Sequence, residues 1–175
     1  MGGGRGRNLK ADAYADAMTT GDYTSAALAA QAASVDLATF TTAEAVALGL
    51  LASERAIADA LPIVIEVHHL GRLVYRAALP GSLPDSDDWI ARKRRVVERF
   101  AASTMAMRVR YEEEGRTFTQ ATGLEERDYA AHGGGFPITV TGVGIVGGFY
   151  ASGLPQVQDH EFLVSCLRDL KAGQA

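Results

Sequence analysis

The segment HGGGFPITVTGVGIVGGFYASG, residues 132–153, contains three glycines in the order G-x-G-x-x-G, namely Gly142, Gly144 and Gly147. In a dinucleotide-binding loop, such glycines lie between a strand and a helix whose N-terminus receives the pyrophosphate. Here they are followed by FYASGLP, which continues as a strand and breaks at Gly153. The segment therefore predicts a β-hairpin with its turn at Gly142, and not a phosphate-binding loop.

The two strands of this hairpin are predicted at residues 138–141 and 144–151. Glycine within a strand lowers stability, and it marks a bulge or a place where another backbone or a ligand comes close. The run GVGIVGG therefore leaves two interpretations open, which are close packing inside the protein and close approach of a ligand.

Two helices are predicted at the start of the chain. SAALAAQAAS predicts the first. TTAEAVALGLLASERAIADA predicts the second, because Thr41 and Glu44 form a capping-box pattern and Val46, Leu50 and Ile57 fall on one helical face.

A second hairpin and a third helix come next. IVIEVHHLGRLVYRAAL predicts the hairpin, with Ile63, Ile65 and Val67 on one face of its first strand. DSDDWIARKRRVVERF predicts the helix, which Asp85 or Ser86 can cap.

The segment TMAMRVRYEEE alternates apolar and charged residues, with Met105 and Met107 set against Arg108 and Arg110, and this alternation predicts a strand. GLEERDYAAH predicts a short helical turn, and a terminal helix is predicted over residues 155–170. Consecutive strands joined by hairpins indicate an antiparallel sheet with helices packed on it, which is an α+β fold.

The composition is typical of a soluble globular domain, with 175 residues, 47% hydrophobic and 22% charged. A net charge of −4 argues against nucleic-acid binding, and no apolar run approaches the roughly 20 residues of a membrane span. The lone Cys166 cannot form an internal disulfide, so we expect a cytoplasmic protein. We interpret residues 1–25 as a flexible tail and residues 26–175 as one domain.

Four segments resemble the heme-degrading HbpS/GlcG-like family, in particular its small single-domain branch: FTTAEAVALG, LPGSLPDSDDWIARKRRVVERF, AAHGGGFPITVTGVGIVGG and ASGLPQVQDHE. The resemblance covers about residues 26–170. It implies a profilin-like three-layer α/β/α sandwich with a five-stranded antiparallel sheet, and homo-oligomers built from dimers. Some relatives bind or degrade heme, so non-covalent heme is the cofactor that the resemblance suggests. It leaves open whether this chain catalyses a reaction.

Lys93 falls in the middle of an apolar helical face, near Trp89 and Val97. A lysine there must extend to solvent, pair with a carboxylate, or meet an anionic ligand or a partner subunit. Arg92 and Arg94 flank it. Together with the family resemblance, this cluster is a candidate clamp for a carboxylated ligand, such as a heme propionate.

His132 precedes Gly133, Gly134 and Gly135, where bare main chain would let a flat ligand approach the imidazole. The alternative is a loop histidine hydrogen-bonded to the backbone. His160 is either a packed, hydrogen-bonded histidine of the last helix or a second ligand-binding residue.

Ser103 is a further candidate, in RFAASTMAM, where the chain departs from a more polar segment of the branch. No metal-binding spacing, covalent-heme motif or nucleophile elbow is present. His68 and His69 are neighbours on a strand, so they face opposite sides. The residues thus support two hypotheses: a binder of heme or another planar or carboxylated compound, and a non-catalytic oligomeric scaffold.

Overall fold

The structure, a computed structural model, describes residues 19–174. Residues 1–18, which make up most of the predicted tail, lie outside the described residues, and the proposed domain bounds stay a prediction. The elements are α1 (Ser25–Ser34), α2 (Thr42–Ala58), β1 (Val64–His69), β2 (Arg72–Ala78), α3 (Asp85–Phe100), α4 (Thr104–Glu113), α5 (Phe118–Thr122), β3 (Gly135–Val140), β4 (Gly144–Ser152) and α6 (Gln156–Ala172).

The described residues form one antiparallel sheet of four strands in the order β2-β1-β4-β3. The α+β class and both predicted hairpins are confirmed. The prediction of five strands is wrong, because TMAMRVRYEEE folds as helix α4.

The sequence of helix α4 has the apolar–charged alternation of a strand because the helix is buried on two sides. Met105 and Val109 pack with Leu28 of α1, whereas Met107 packs with Val96 of α3. Its start is fixed by Ser103, whose hydroxyl accepts a hydrogen bond from the Ala106 amide at 3.2 Å. The alternation of apolar and charged residues therefore arises from two packing surfaces of one helix.

The sheet is the middle of three layers. Helices α2 and α6 cover one face, where the main hydrophobic core includes Leu48, Ile65 and Leu163. Helix α3 covers the other face, where Ile90 packs with Tyr150. The pattern of residues 63, 65 and 67 on one strand face is confirmed, since all three side chains belong to the main core.

Helix α2 contacts the sheet through small residues, including Ala45, Gly49 and Ala52. A Cβ at Gly49 would overlap with the Tyr75 ring, so glycine lets helix and strand come close together. The capping box at Thr41 is confirmed. The face formed by Val46, Leu50 and Ile57 points away from the core, with exposures of 39%, 50% and 61%.

The glycine-rich segment forms the β3–β4 hairpin, and no helix begins within it. Gly142 lies in the turn with a φ of +77°. A Cβ at Gly147 would overlap with the carbonyl oxygen of His68 on β1. The glycines of this pattern thus serve strand packing and a tight turn.

The start of α3 differs from its prediction. The helix begins at Asp85, the N-cap is Pro84, and no side chain caps the helix. Asp85 accepts a hydrogen bond from Trp89 Nε1 at 2.9 Å instead, and Ser86 is buried. The carboxylate lies within the first turn and is engaged with the indole, so neither predicted residue caps the helix.

Two further segments complete the fold. The predicted turn in GLEERDYAAH is present at residues 126–128, and the terminal helix is confirmed. Helix α5 was missed, although Thr117 and Gln120 form a capping box that signals it. Of the helices within residues 19–174, none has the length and apolar character that a membrane crossing requires.

Candidate ligand-binding cleft

A cavity of about 300 Å³ lies where α3, the segment after Ala131 and the start of α6 meet. We call it the Trp89 cleft. Its lining includes Leu83, Asp85, Ser86, Trp89, Lys93, His132, Gly133, Ser152, Gly153, Leu154, Gln156 and Asp159. Its volume lies at the lower end of the roughly 300–1,000 Å³ that small-molecule sites occupy.

A buried ion pair forms the base of the cleft. Lys93 Nζ donates to Asp159 Oδ2 at 3.0 Å and to the carbonyl oxygen of Ala151 at 2.9 Å. Asp159 Oδ1 accepts from the Leu154 amide at 3.1 Å. Of the three alternatives that the sequence left open for Lys93, the structure contains the pair with a carboxylate.

Burial of the ion pair shifts the pKa of its acidic member, Asp159. Desolvation raises the pKa of the Asp159 carboxyl, while the ammonium of Lys93 and the hydrogen bonds to the carboxylate oppose that rise. A buried acid whose pKa is displaced by burial and by one specific cation, at the base of a cleft, is a candidate functional group.

His132 forms part of the wall and is engaged on both ring nitrogens. Its Nε2 lies 3.1 Å from Glu126 Oε1, and its Nδ1 lies 3.4 Å from Nη1 of Arg108. Because a guanidinium can only donate, Nδ1 accepts and Nε2–H donates to the carboxylate. Burial lowers the pKa of His132, which favours this neutral form. The histidine is hydrogen-bonded as the alternative interpretation expected, but to side chains and not to the backbone.

The glycines after His132 allow the corner to pack closely. A Cβ at Gly133 would overlap with the carbonyl oxygen of Gln156, and Gly134 has a φ of +110° with Lys93 Nζ directly beside it. Of the three glycines, only Gly133 lines the cleft. The main chain of these three glycines is therefore mostly covered by neighbouring residues, and it faces the cleft only at Gly133.

The structure brings four of the predicted site residues together at the cleft: Trp89, Lys93, His132 and Gly133. The other five lie outside its lining: Arg92, Ser103, Gly134, Gly135 and His160. Gly135 exchanges hydrogen bonds with Thr104, and Ser103 caps α4.

Arg92 lies against Trp89 and not in the cleft. Its guanidinium carbon is 3.9 Å from the centroid of the indole, and Nε is 2.9 Å from Asp88 Oδ2. Arg94 pairs with Glu98 at 3.2 Å. The predicted cationic clamp is therefore reduced, within the cleft, to the ammonium of Lys93.

His160 lies in the interior between α6 and α1. It has no exposed surface, and its Nε2 is 2.7 Å from Gln31 Oε1. Desolvation lowers the pKa of His160 to about 4. Its ring contacts Tyr23 edge-on, and the Thr19 carbonyl oxygen accepts a hydrogen bond from Gln156 Nε2 at 3.0 Å, so these residues of the predicted tail pack on the domain.

A larger groove of about 490 Å³ lies on the other side of His132 and includes Arg108, Glu112, Glu126 and Tyr129. Arg108 and Glu112 of its lining pair with each other, since Arg108 Nε is 2.8 Å from Glu112 Oε1. The Trp89 cleft, in contrast, combines a buried ion pair with an aromatic wall.

Residues 40–168 match the family described as "Haem degrading protein HbpS-like". The chain belongs to the HbpS-like family. A similar protein is the UPF0303 protein SCO2848 of Streptomyces coelicolor, which is 49% identical over 128 residues, covering 73% of this chain and 81% of that protein.

Two solved structures share the fold of this HbpS-like protein. The Ybr137w protein superposes with a TM-score of 0.79 at 25% identity, covering 87% of this chain and 90% of its own. A PduOC:Heme complex superposes with a TM-score of 0.62 at 18% identity, covering 75% and 94%. At that identity, the second likeness shows the fold alone.

The cleft of the HbpS-like protein does not fit a heme that is coordinated through its iron. Protein-bound heme iron takes an axial nitrogen, sulfur or oxygen ligand. His132 is the one histidine in the lining, and both of its ring nitrogens already have partners. Within residues 19–174, no group of three or more His, Cys, Asp and Glu side chains could hold a metal ion.

Sequence reasoning missed Asp159, the partner of Lys93 in the HbpS-like protein. A usable signal was present, because Asp159 is followed four residues later by Leu163, a fully buried core residue of α6. A charge on an apolar helical face needs an opposite charge on a facing element. A lysine and an aspartate on the apolar faces of two different helices therefore predict an ion pair between those helices.

Proposed function

We propose that this protein binds small planar molecules that carry a carboxylate or another oxygen acceptor, non-covalently, in the Trp89 cleft. The observation that carries the proposal is the Lys93–Asp159 pair at the base of a cavity walled by Trp89 and His132. The indole offers a flat apolar surface, and the ammonium offers a hydrogen-bond donor below it.

Lys93 keeps a donor for such a ligand. An ammonium has three N–H groups. Among residues 19–174, two acceptors lie within hydrogen-bond distance of Nζ, one on Asp159 and one on Ala151. The third N–H is left for an oxygen of the ligand, and the nearby serine hydroxyls of the lining add further hydrogen-bonding groups.

Heme belongs to this ligand class through its propionates, and the description of the family names heme degradation. Because the lining supplies no free axial ligand, the proposal concerns the organic part of the molecule. The proposed activity is binding, and no reaction is derived from the cleft.

The chain offers a reporter for the test, because Trp89 is the sole tryptophan in the sequence. We expect 4-fluorobenzoate to show saturable ¹⁹F line broadening, and protoporphyrin IX and hemin to quench Trp89 fluorescence with affinities within a few-fold of each other. Hemin binding that is far tighter than protoporphyrin binding would contradict a site that recognises only the organic part.

The matched variants are Lys93→Met combined with Asp159→Leu, and Arg94→Met as a control on the same helix. Removing both charges together avoids leaving one buried and unpaired, so we expect the double variant to fold. It should lose 4-fluorobenzoate binding, whereas Arg94→Met should retain it. Equal binding by the double variant, or no saturable response in the wild type, refutes the proposal.

We infer a second function, self-association as an oligomeric scaffold, from an exposed apolar surface around strand β2. Within the described residues, β2 is an uncovered edge of the sheet. Leu70 and Leu73, on the β1–β2 hairpin, are 70% and 51% exposed, close to Val46 of α2, with which they line one cavity. Exposed apolar surface beside a free strand edge favours association with a second copy.

Light scattering after size exclusion tests this second function. We expect an assembly larger than a monomer, reduced in size by Leu73→Lys combined with Leu50→Glu. Val143→Lys, at the 73% exposed tip of the other hairpin, is the control and should leave the assembly unchanged. A monomeric wild-type protein would exclude the scaffold.

A further inference from the structure

A second cavity, of about 380 Å³, lies at the opposite end of α3 from the Trp89 cleft. We call it the Tyr150 cavity. Its lining is His68, Leu70, Gly71, Val97, Glu98, Ala101, Ile145, Val146, Gly147, Gly148 and Tyr150. Most of this surface is apolar, and the polar side chains of His68 and Tyr150 meet in it with their ring centroids 5.4 Å apart.

The hydrogen-bond chain behind His68 fixes its tautomer. Nε2 of His68 lies 3.0 Å from Glu66 Oε2, and Arg76 Nε lies 3.4 Å from Glu66 Oε1. A carboxylate can only accept a hydrogen bond, so Nε2 of His68 carries the hydrogen that it donates to Glu66. In the neutral imidazole the other nitrogen, Nδ1, is an acceptor, and no residue within 19–174 hydrogen-bonds to it.

The Tyr150 hydroxyl is placed by the glycines of strand β4. A Cβ at Gly148 would overlap with this hydroxyl, so the ring lies over a residue without a side chain. Its hydroxyl makes no hydrogen bond to the described part of the chain. Burial raises the pKa of Tyr150, which keeps the hydroxyl protonated and able to donate.

The charges around the cavity favour a neutral ligand. Glu66 shares Arg76 with Asp87, and Glu98 of the lining pairs with Arg94 at 3.2 Å. Among the lining residues there is no lysine or arginine. An anion would therefore meet no cationic donor there, whereas Lys93 offers one in the Trp89 cleft.

We propose that the Tyr150 cavity is a second ligand site, for a neutral planar molecule with a hydroxyl group. His68 Nδ1 accepts the hydrogen of that hydroxyl, and the Tyr150 hydroxyl donates to an oxygen of the ligand. Val97, Ala101 and Ile145 pack against its flat apolar part.

The test uses 4-fluorophenol, the neutral counterpart of the 4-fluorobenzoate probe. We expect saturable ¹⁹F broadening with the wild-type protein. Tyr150→Phe keeps the ring and removes the donor, so the Kd should rise roughly three- to tenfold, as for the loss of one hydrogen bond. His68→Leu should act in the same direction.

Two controls separate this site from the Trp89 cleft. Tyr75→Phe removes a hydroxyl that bonds Ser53 on the other side of the sheet, and it should not change 4-fluorophenol binding. The Lys93→Met, Asp159→Leu variant should lose 4-fluorobenzoate and retain 4-fluorophenol. Unchanged 4-fluorophenol binding in Tyr150→Phe, parallel loss of both probes in the double variant, or no saturable binding overturns the proposal.

Discussion

Lys93 Nζ and Asp159 Oδ2 lie 3.0 Å apart, and each residue is only 2% exposed. The two residues belong to α3 and α6, which pack on opposite faces of the sheet. The ammonium also bonds the carbonyl oxygen of Ala151 on β4. One buried ion pair therefore joins all three layers and forms the base of the proposed ligand site.

Breaking this pair from one side should cost more than removing it. Lys93→Met leaves the carboxylate buried without its cation, and we expect a loss of about 3–5 kcal/mol in the free energy of unfolding. The double variant Lys93→Met, Asp159→Leu should be markedly more stable than either single variant. Urea unfolding measures both, and additive losses would show that the two charges are not coupled.

Gly134 should tolerate no side chain. Its φ of +110° is strained for other residues, and a Cβ would overlap with the carbonyl oxygen of Ala151. We expect Gly134→Ala to lower the free energy of unfolding by at least about 2 kcal/mol. Gly142→Asn is the control, since the turn has open space there and asparagine tolerates positive φ. Similar stability for both variants would be inconsistent with the close packing at Gly134.

The buried His160 should make the protein acid-sensitive. Its pKa is lowered to about 4 in the folded state, against about 6.5 in the unfolded chain. Between these values the unfolded state binds a proton that the folded state does not, so stability is full above pH 6.5 and falls toward pH 4. The loss amounts to about 3 kcal/mol.

Unfolding at pH 7, 5.5 and 4.5 measures this dependence, and His160→Phe should make it shallower. His132 contributes with the same sign, because burial lowers its pKa as well. Gln31→Leu is the matched control. It removes the partner of His160 but leaves the imidazole buried, so the pH dependence of stability should remain. If the stability of His160→Phe falls with pH as steeply as that of the wild type, His160 is not the cause of the acid sensitivity.

Binding of a carboxylate in the Trp89 cleft should be coupled to proton uptake. Desolvation already raises the pKa of Asp159, and a second negative charge nearby would raise it further. The affinity for 4-fluorobenzoate should therefore increase as the pH falls from 8 to 6. Asp159→Asn cannot take up the proton and should bind with little pH dependence, whereas a pH-independent wild type would argue against the coupling.

The sequence predicts most of the elements, because local signals specify them. The Thr41 capping box, the alternation around Ile65 and the glycine turn at Gly142 each act within a few residues. Helix α4 escaped this reasoning because Met105 and Met107 face two different neighbours. A helix packed on two sides loses the single apolar stripe that identifies it.

The candidate sites depend on contacts between distant parts of the chain, which local patterns do not report. Lys93 was singled out from its place on an apolar face, but Asp159 lies 66 positions away. The Tyr150 cavity was not predicted at all, because it depends on the register that places His68 opposite Gly148 across β1 and β4. That register is set by the whole sheet.

The fit of the Tyr150 hydroxyl over Gly148 constrains how this strand can diverge. Positions 148 and 150 cannot change independently, since a methyl group at the first would displace the phenol at the second. Homologues that gain a larger residue at 148 should have exchanged the tyrosine in the same lineage. Paired substitution at positions 148 and 150 would thus identify the lineages in which the cavity has changed.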